Sequence, residues 1–97
     1  MMQYTVKPTD RFRIDYKLMG KRNMDISLID DVNTKLAQGI PLPAPHQDHA
    51  LTGNYAGSRE CHIQPDWLLI YRIDDDILVL VLTLRKGFAR RGNPGGK

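Results

Sequence analysis

Two histidines, an aspartate and an arginine crowd one stretch of the chain, at His49, Arg59, His62 and Asp66. Histidine has an ordinary pKa of about 6.5, so it can take or give a proton near neutral pH. A carboxylate can orient an imidazole or act as a base, and a guanidinium can hold a phosphate. Such groups do acid–base chemistry only when held in fixed positions. The flanks are built to bury apolar surface: Ala50-Leu51 follows His49, and Trp67-Leu68-Leu69-Ile70-Tyr71 follows Asp66.

Strand alternation positions most of these side chains. Residues 58–63 read as a strand with Arg59, Cys61 and Ile63 on one face and Ser58, Glu60 and His62 on the other. Cys61 and Ile63 mark the core face, so His62 faces a groove or solvent. Gln64-Pro65-Asp66-Trp67 is a turn with proline second, which favours type I geometry. Asp66 either bonds its own backbone there or reaches back across the turn to His62. Residues 67–73 and 77–84 are the next strands, joined at Asp74-Asp75-Asp76. Both are apolar on both faces and therefore central or covered. Trp67 and Tyr71 share a face and form either core or a surface on which bases stack.

Upstream, residues 3–7 form a short strand ending at Pro8. Thr9 or Asp10 caps a helix whose stripe is Phe12, Tyr16 and Met19, with Arg11, Arg13, Lys17 and Lys21 on its remaining surface. Asn23 or Asp25 starts a second helix carrying Leu28, Ile29, Val32 and Leu36 and stopping at Gly39. The prolines at 41, 43 and 45 impose a loop leading through His46 and Asp48 to Gly53. The class is α+β, with two N-terminal helices packed on a sheet.

The 97 residues suit one domain, placed at 1–91, with a glycine-rich flexible tail at 92–97. The longest apolar run, Ile77 to Leu82, is far too short to span a bilayer, and the first residues do not read as a signal peptide. A single cysteine, Cys61, leaves no internal disulfide framework. A soluble cytoplasmic protein is expected. The net charge of +3 is uneven: residues 1–23 carry six basic and two acidic groups, and residues 85–97 five basic and none acidic. Brought to one side, those ends make a basic surface for RNA phosphates or an acidic partner. His46-x-x-His49 with Asp48 invites a metal reading, but it lies in a proline-rich loop without a second ligand pair at a recognised spacing. No metal or other cofactor is expected.

The run Asp48-His49-x-Leu51-x-Gly53, then Arg59-x-x-His62-x-x-Pro65-Asp66-Trp67-x-Leu69-Ile70-Tyr71, resembles the YafQ-like branch of the RelE/ParE superfamily of toxin–antitoxin ribonucleases. The resemblance extends from the first strand through Thr83. It implies a RelE-like fold, an antiparallel sheet with two helices on one face. It also implies metal-independent mRNA cleavage, usually on the translating ribosome, and capture by an antitoxin. Residue by residue, it makes His49 and His62 the active-site histidines, Asp66 the catalytic carboxylate and Trp67 an aromatic beside the site. Arg59 becomes a candidate phosphate contact.

One departure stands out. Such toxins usually follow the last strand with a Thr-Gly-Ser/Thr-His pattern, whereas this chain runs Thr83-Leu84-Arg85-Lys86-Gly87-Phe88. Lys86 takes the histidine's place, and Lys86 or Arg85 is expected to supply phosphate stabilisation instead. Lysine is a poorer proton donor at neutral pH unless its pKa is depressed. The alternatives are a toxin-fold protein that binds RNA or an antitoxin with weak or no cleavage, and a metal-dependent hydrolase using His46, His49 and His62.

Overall fold

The structure, a computed structural model, describes residues 3–86. The chain runs β1 (Thr5–Pro8), α1 (Asp10–Lys21), α2 (Ile26–Ala37), β2 (His49–Ala50), β3 (Arg59–Gln64), β4 (Trp67–Asp74) and β5 (Ile77–Arg85). Single 3-10 turns at Ala44–His46 and Gly53–Tyr55 punctuate the middle. The expected tail at 92–97 lies outside the described residues.

The five strands form one sheet in the order β1-β5-β4-β3-β2. Strands β2 to β5 pair antiparallel, as expected, while β1 runs parallel to β5, so the sheet is mixed rather than wholly antiparallel. The physical reason is the connection. Both helices intervene between β1 and the rest, and a crossover of that length can return the chain to a parallel neighbour. No helix of the described residues is long and apolar enough to cross a membrane.

Local chemistry sets the helix ends. Thr9 caps α1, its hydroxyl accepting from the Phe12 N–H at 3.0 Å, and the same hydroxyl donates to the Val81 carbonyl at 2.7 Å. Asp25 caps α2 by accepting from the Ser27 N–H. At the far end Gly39 has φ 72°, its N–H donates to Leu36 and the Ile40 N–H reaches back to Lys35. This pair of bonds satisfies carbonyls the helix leaves open and needs a left-handed residue, the role expected of Gly39.

The core lies between the helices and one face of the sheet. Phe12 and Met19 of α1 and Ile29, Val32 and Leu36 of α2 close over Cys61, Ile63, Trp67, Leu69, Tyr71, Leu78 and Leu80. Beyond the short β1, the outer edge of β5 is closed by side chains of the α1 region. Thr9 takes the Val81 carbonyl, and Asp15 accepts from the Thr83 N–H at 3.3 Å. Asp15 is itself held by Arg11 through both carboxylate oxygens.

Candidate active site

Register places the chemistry on the sheet face turned away from the helices. His49 of β2 pairs with Glu60 of β3, and directly opposed residues share a face. Glu60 and His62 are two apart on β3 and share that face as well. His62 in turn opposes Leu68 of β4. His49, Glu60 and His62 thus form one row, while Cys61 and Ile63 between and beyond them enter the core.

Backbone carbonyls fix the histidine tautomers. A carbonyl only accepts, so a ring nitrogen facing one must carry the proton. His62 Nδ1 donates to the Pro65 carbonyl at 3.2 Å, which leaves Nε2 of the neutral ring as the free lone pair. His49 Nδ1 donates to the Gln47 carbonyl at 2.7 Å, and its Nε2 stands 3.3 Å from Glu60 Oε1. Both nitrogens of His49 therefore face oxygen acceptors, whereas among the described residues His62 Nε2 has no partner.

Glu60 was not singled out in the sequence, although strand alternation already put it on the His62 face. Its partner lies on another strand, and that pairing is what gives it meaning.

Asp66 does not orient His62 as one reading of the turn had it. Its carboxylate accepts from Arg85 Nε at 2.9 Å, and its carbonyl accepts from the Lys86 N–H at 2.7 Å. That hydrogen bond from Arg85 is the main reason the Asp66 carboxyl sits below its ordinary pKa. It stays ionised as an ion-pair partner, which makes it a poor base. The pairing brings Arg85 and Lys86 to the Pro65–Asp66 turn, the turn that also holds His62. Neither central residue of that turn has a positive φ, which excludes type II geometry and agrees with the type I expectation.

Trp67 belongs to the core. It is fully buried, its indole N–H donates to Thr83 Oγ1 at 2.9 Å, and Thr83 donates on to the Leu68 carbonyl at 2.6 Å. A base cannot stack on a ring with no exposed face, so Trp67 is a core residue. Alternation carries Tyr71 to the same side, where it too is buried.

Arg59 also lies on the helix side of β3, opposite His62. Its Nε donates to Asp48 Oδ1 at 3.1 Å, and Tyr71 OH lies 2.8 Å from both Asp48 oxygens. Burial and the Asp48 carboxylate push the Tyr71 phenol well above its ordinary pKa, so it donates as a neutral hydroxyl. Asp48 thereby fastens the segment that carries His49. Arg59, the expected phosphate contact, is thus tied through Nε to Asp48 with its side chain 42% exposed. The Cys61 thiol is pushed up to about 12, mainly by burial, and takes no part as a nucleophile.

The loop histidine His46 donates from Nδ1 to the His62 carbonyl at 2.6 Å, pinning the 3-10 turn across β3. Among the described residues, no group of three or more His, Cys, Asp or Glu side chains converges as a metal site.

This geometry has relatives. The family described as "Bacterial toxin of type II toxin-antitoxin system, YafQ" matches residues 4–88. The chain belongs to the YafQ family of type II toxins. It is 37% identical over 79 residues to the mRNA interferase toxin YafQ of Escherichia coli K12, covering 80% of this chain and 86% of that one. The crystal structure of YafQ from E. coli BL21(DE3) superposes with a TM-score of 0.82 at 33% identity, covering 90% of this chain and 98% of that one. The E. coli DinJ–YafQ toxin–antitoxin complex gives 0.81 at 33% identity, with 90% and 97% covered. These likenesses agree with the expected YafQ-like, α+β reading. In this member of the YafQ family His49 stands on β2, His62 on β3 and Asp66 in the turn between β3 and β4, and Lys86 is the last described residue.

Proposed function

We propose that this toxin is an endoribonuclease that cleaves mRNA without a metal, acts on the translating ribosome in the cytoplasm, and is held in check by an antitoxin. The observation that carries the reading is the row His49–Glu60–His62, with each histidine's Nδ1 held by a backbone carbonyl and His49 Nε2 3.3 Å from Glu60. The names of the relatives, mRNA interferase and toxin–antitoxin complex, point the same way.

In the proposed reaction the 2′-hydroxyl of RNA attacks the adjacent phosphate. His62 Nε2 takes the hydroxyl proton as general base, its ring aimed by the Pro65 carbonyl. The 5′-oxygen leaves with a proton from His49 Nε2, and Glu60 stabilises the cation before transfer. The products are a 2′,3′-cyclic phosphate and a 5′-hydroxyl. Charge building on the phosphorane is met by Arg85 and Lys86, which stand at the turn holding His62. Lys86 in place of the usual histidine fits this division of labour, because His49 supplies the proton and the tail need supply only charge.

The test is RNA cleavage by purified His62→Ala protein with its fold checked by circular dichroism. General base catalysis is typically worth about a hundred- to ten-thousand-fold, and a loss of that size is expected. Cleavage at the parent rate would overturn the assignment. Cleavage of naked RNA should persist in excess EDTA, and its loss there would favour the metal-dependent hydrolase. Growth arrest on expression, relieved by the neighbouring antitoxin gene, separates a nuclease from a protein of this fold that only binds.

A further inference from the structure

We propose that His46 is a positioning residue for the active-site row. Its ring supplies the hydrogen bond that β2 stops short of giving the His62 carbonyl, and so sets where His62 and His49 stand relative to each other. This rests on the proposed nuclease reading and deepens it by naming what holds the two histidines in register.

The pairing of β2 with β3 shows what is missing. The Leu51 N–H donates to the Ser58 carbonyl at 2.9 Å, and His49 opposes Glu60, so the next position of that ladder would set Gln47 against His62. Carbonyls two residues apart on a strand face the same edge, so Ser58, Glu60 and His62 all turn theirs toward the β2 side. But β2 spans only His49–Ala50. Gln47 has φ 49°, in the left-handed region, and its N–H already donates to the Ala44 carbonyl at 2.9 Å. The His62 carbonyl therefore has no ladder partner, at the point where the β3–β4 register also shifts, between His62 and Gln64. A strand carbonyl left open in this way needs another donor. His46 Nδ1 provides it at 2.6 Å, from 16 residues away. A carbonyl only accepts, so Nδ1 carries the proton in this bond.

The bond reaches both histidines of the row. On the His62 side it fixes the peptide that follows the residue, and with it the direction in which the ring leaves the strand. The ring is then held at its own Nδ1 by the Pro65 carbonyl. On the His49 side it anchors the turn from which Gln47 presents its carbonyl to His49 Nδ1 at 2.7 Å. That turn is stiff. Pro43 and Pro45 have φ set by their rings, the His46 N–H donates to the Pro43 carbonyl at 3.0 Å, and Leu42 packs against the core. One side chain thus ties a rigid turn to β3, and the position of each histidine depends on that tie.

The experiment measures kcat and KM for cleavage of a short RNA oligonucleotide by the full chain, for the parent, His46→Phe and His46→Asn. Circular dichroism and the thermal midpoint are recorded for each. His46→Phe keeps a flat ring and removes the donor. His46→Asn keeps an N–H donor the same number of bonds from the backbone as Nδ1. Misplacing a reacting group by about 1 Å costs on the order of a hundredfold in rate. In His46→Phe, kcat should fall about ten- to a hundredfold with KM near the parent value, and His46→Asn should recover most of the loss. A residue that only stabilises its loop would lower the thermal midpoint and leave the kcat of the folded protein unchanged. That result overturns the inference while the nuclease reading stands. An equal loss in His46→Asn overturns it too, because the hydrogen bond would not be the cause. A raised KM at the parent kcat overturns it in favour of a direct RNA contact. His46→Ala serves as the second donorless variant should His46→Phe not fold. A parent chain that does not cleave RNA overturns the nuclease reading itself, and the inference with it.

Discussion

Tyr71 and Asp48, 23 residues apart, meet with the phenol oxygen 2.8 Å from both carboxylate oxygens. A buried tyrosine of a central strand thus holds the loop residue directly before His49. Tyr71→Phe keeps the ring and removes this bond. A hydrogen bond to a charged partner is worth about 1.5–3 kcal/mol, so the urea midpoint should fall by that equivalent. Cleavage should fall as well, because the His49 segment loses one of its two fastenings. An unchanged midpoint would show that Arg59 alone holds Asp48.

Glu60→Gln tests the acid half of the proposed chemistry. The amide keeps the shape and loses the charge that faces His49 Nε2 at 3.3 Å. Cleavage should drop about tenfold or more, within the range of acid–base contributions, with little change in stability. Single-turnover cleavage at the parent rate would remove Glu60 from the site.

The Asp66–Arg85 pair has a signed pH dependence. The folded carboxyl is held below its unfolded value, chiefly by the Arg85 hydrogen bond. Its contribution to stability is therefore fully present above the unfolded pKa of about 4 and is lost as pH falls through the folded pKa. Asp66→Asn should be less stable than the parent at pH 7, with the gap closing in acid. The pair is partly exposed, so added salt should narrow the gap too. A gap that widens on acidification would contradict this.

Lys86→Ala, Arg85→Ala and the double variant test phosphate stabilisation by the end of β5. Removing a cation from a developing oxyanion costs on the order of 3 kcal/mol, about a hundredfold in rate. The double variant should show at least that loss. Arg85→Ala should also lower stability slightly, since it strands Asp66. A double variant as active as the parent would leave these residues as solvated surface. A sharp gain in Lys86→His would mean that the parent is a weakened nuclease.

Much of this arrangement was legible before any coordinates. Local patterns decide strands and helix ends: the Pro65–Asp66 turn and the alternation of Glu60, Cys61 and His62 placed β3 and β4 within a residue of their observed limits. Gly39 and Phe12, Tyr16 and Met19 behaved as their spacing required. What stayed hidden is non-local. Glu60 matters because β2 brings His49 opposite it. Arg59 gains Asp48 from the loop before β2, and Asp66 looks like a histidine partner until Arg85 arrives from the end of β5. The parallel pairing of β1 is hidden for the same reason, since no periodicity encodes a neighbour chosen through tertiary packing.

That parallel pairing has a kinetic consequence. Strand β5 lies between β1 and β4, yet it is the last described strand to be made. Thr9 bonds Val81 across 72 residues, so the first strand and the cap of the first helix gain these partners only when the last strand arrives. Contacts of such long sequence separation slow folding, because the loop between them must close before any of them form. During synthesis, β1 has no sheet to join until residues 77–85 are free to pair. The step that completes the core is also the step that delivers Arg85 to Asp66. A nascent chain therefore joins its first strand to the sheet and pairs Arg85 with Asp66 only once the last described strand is in place.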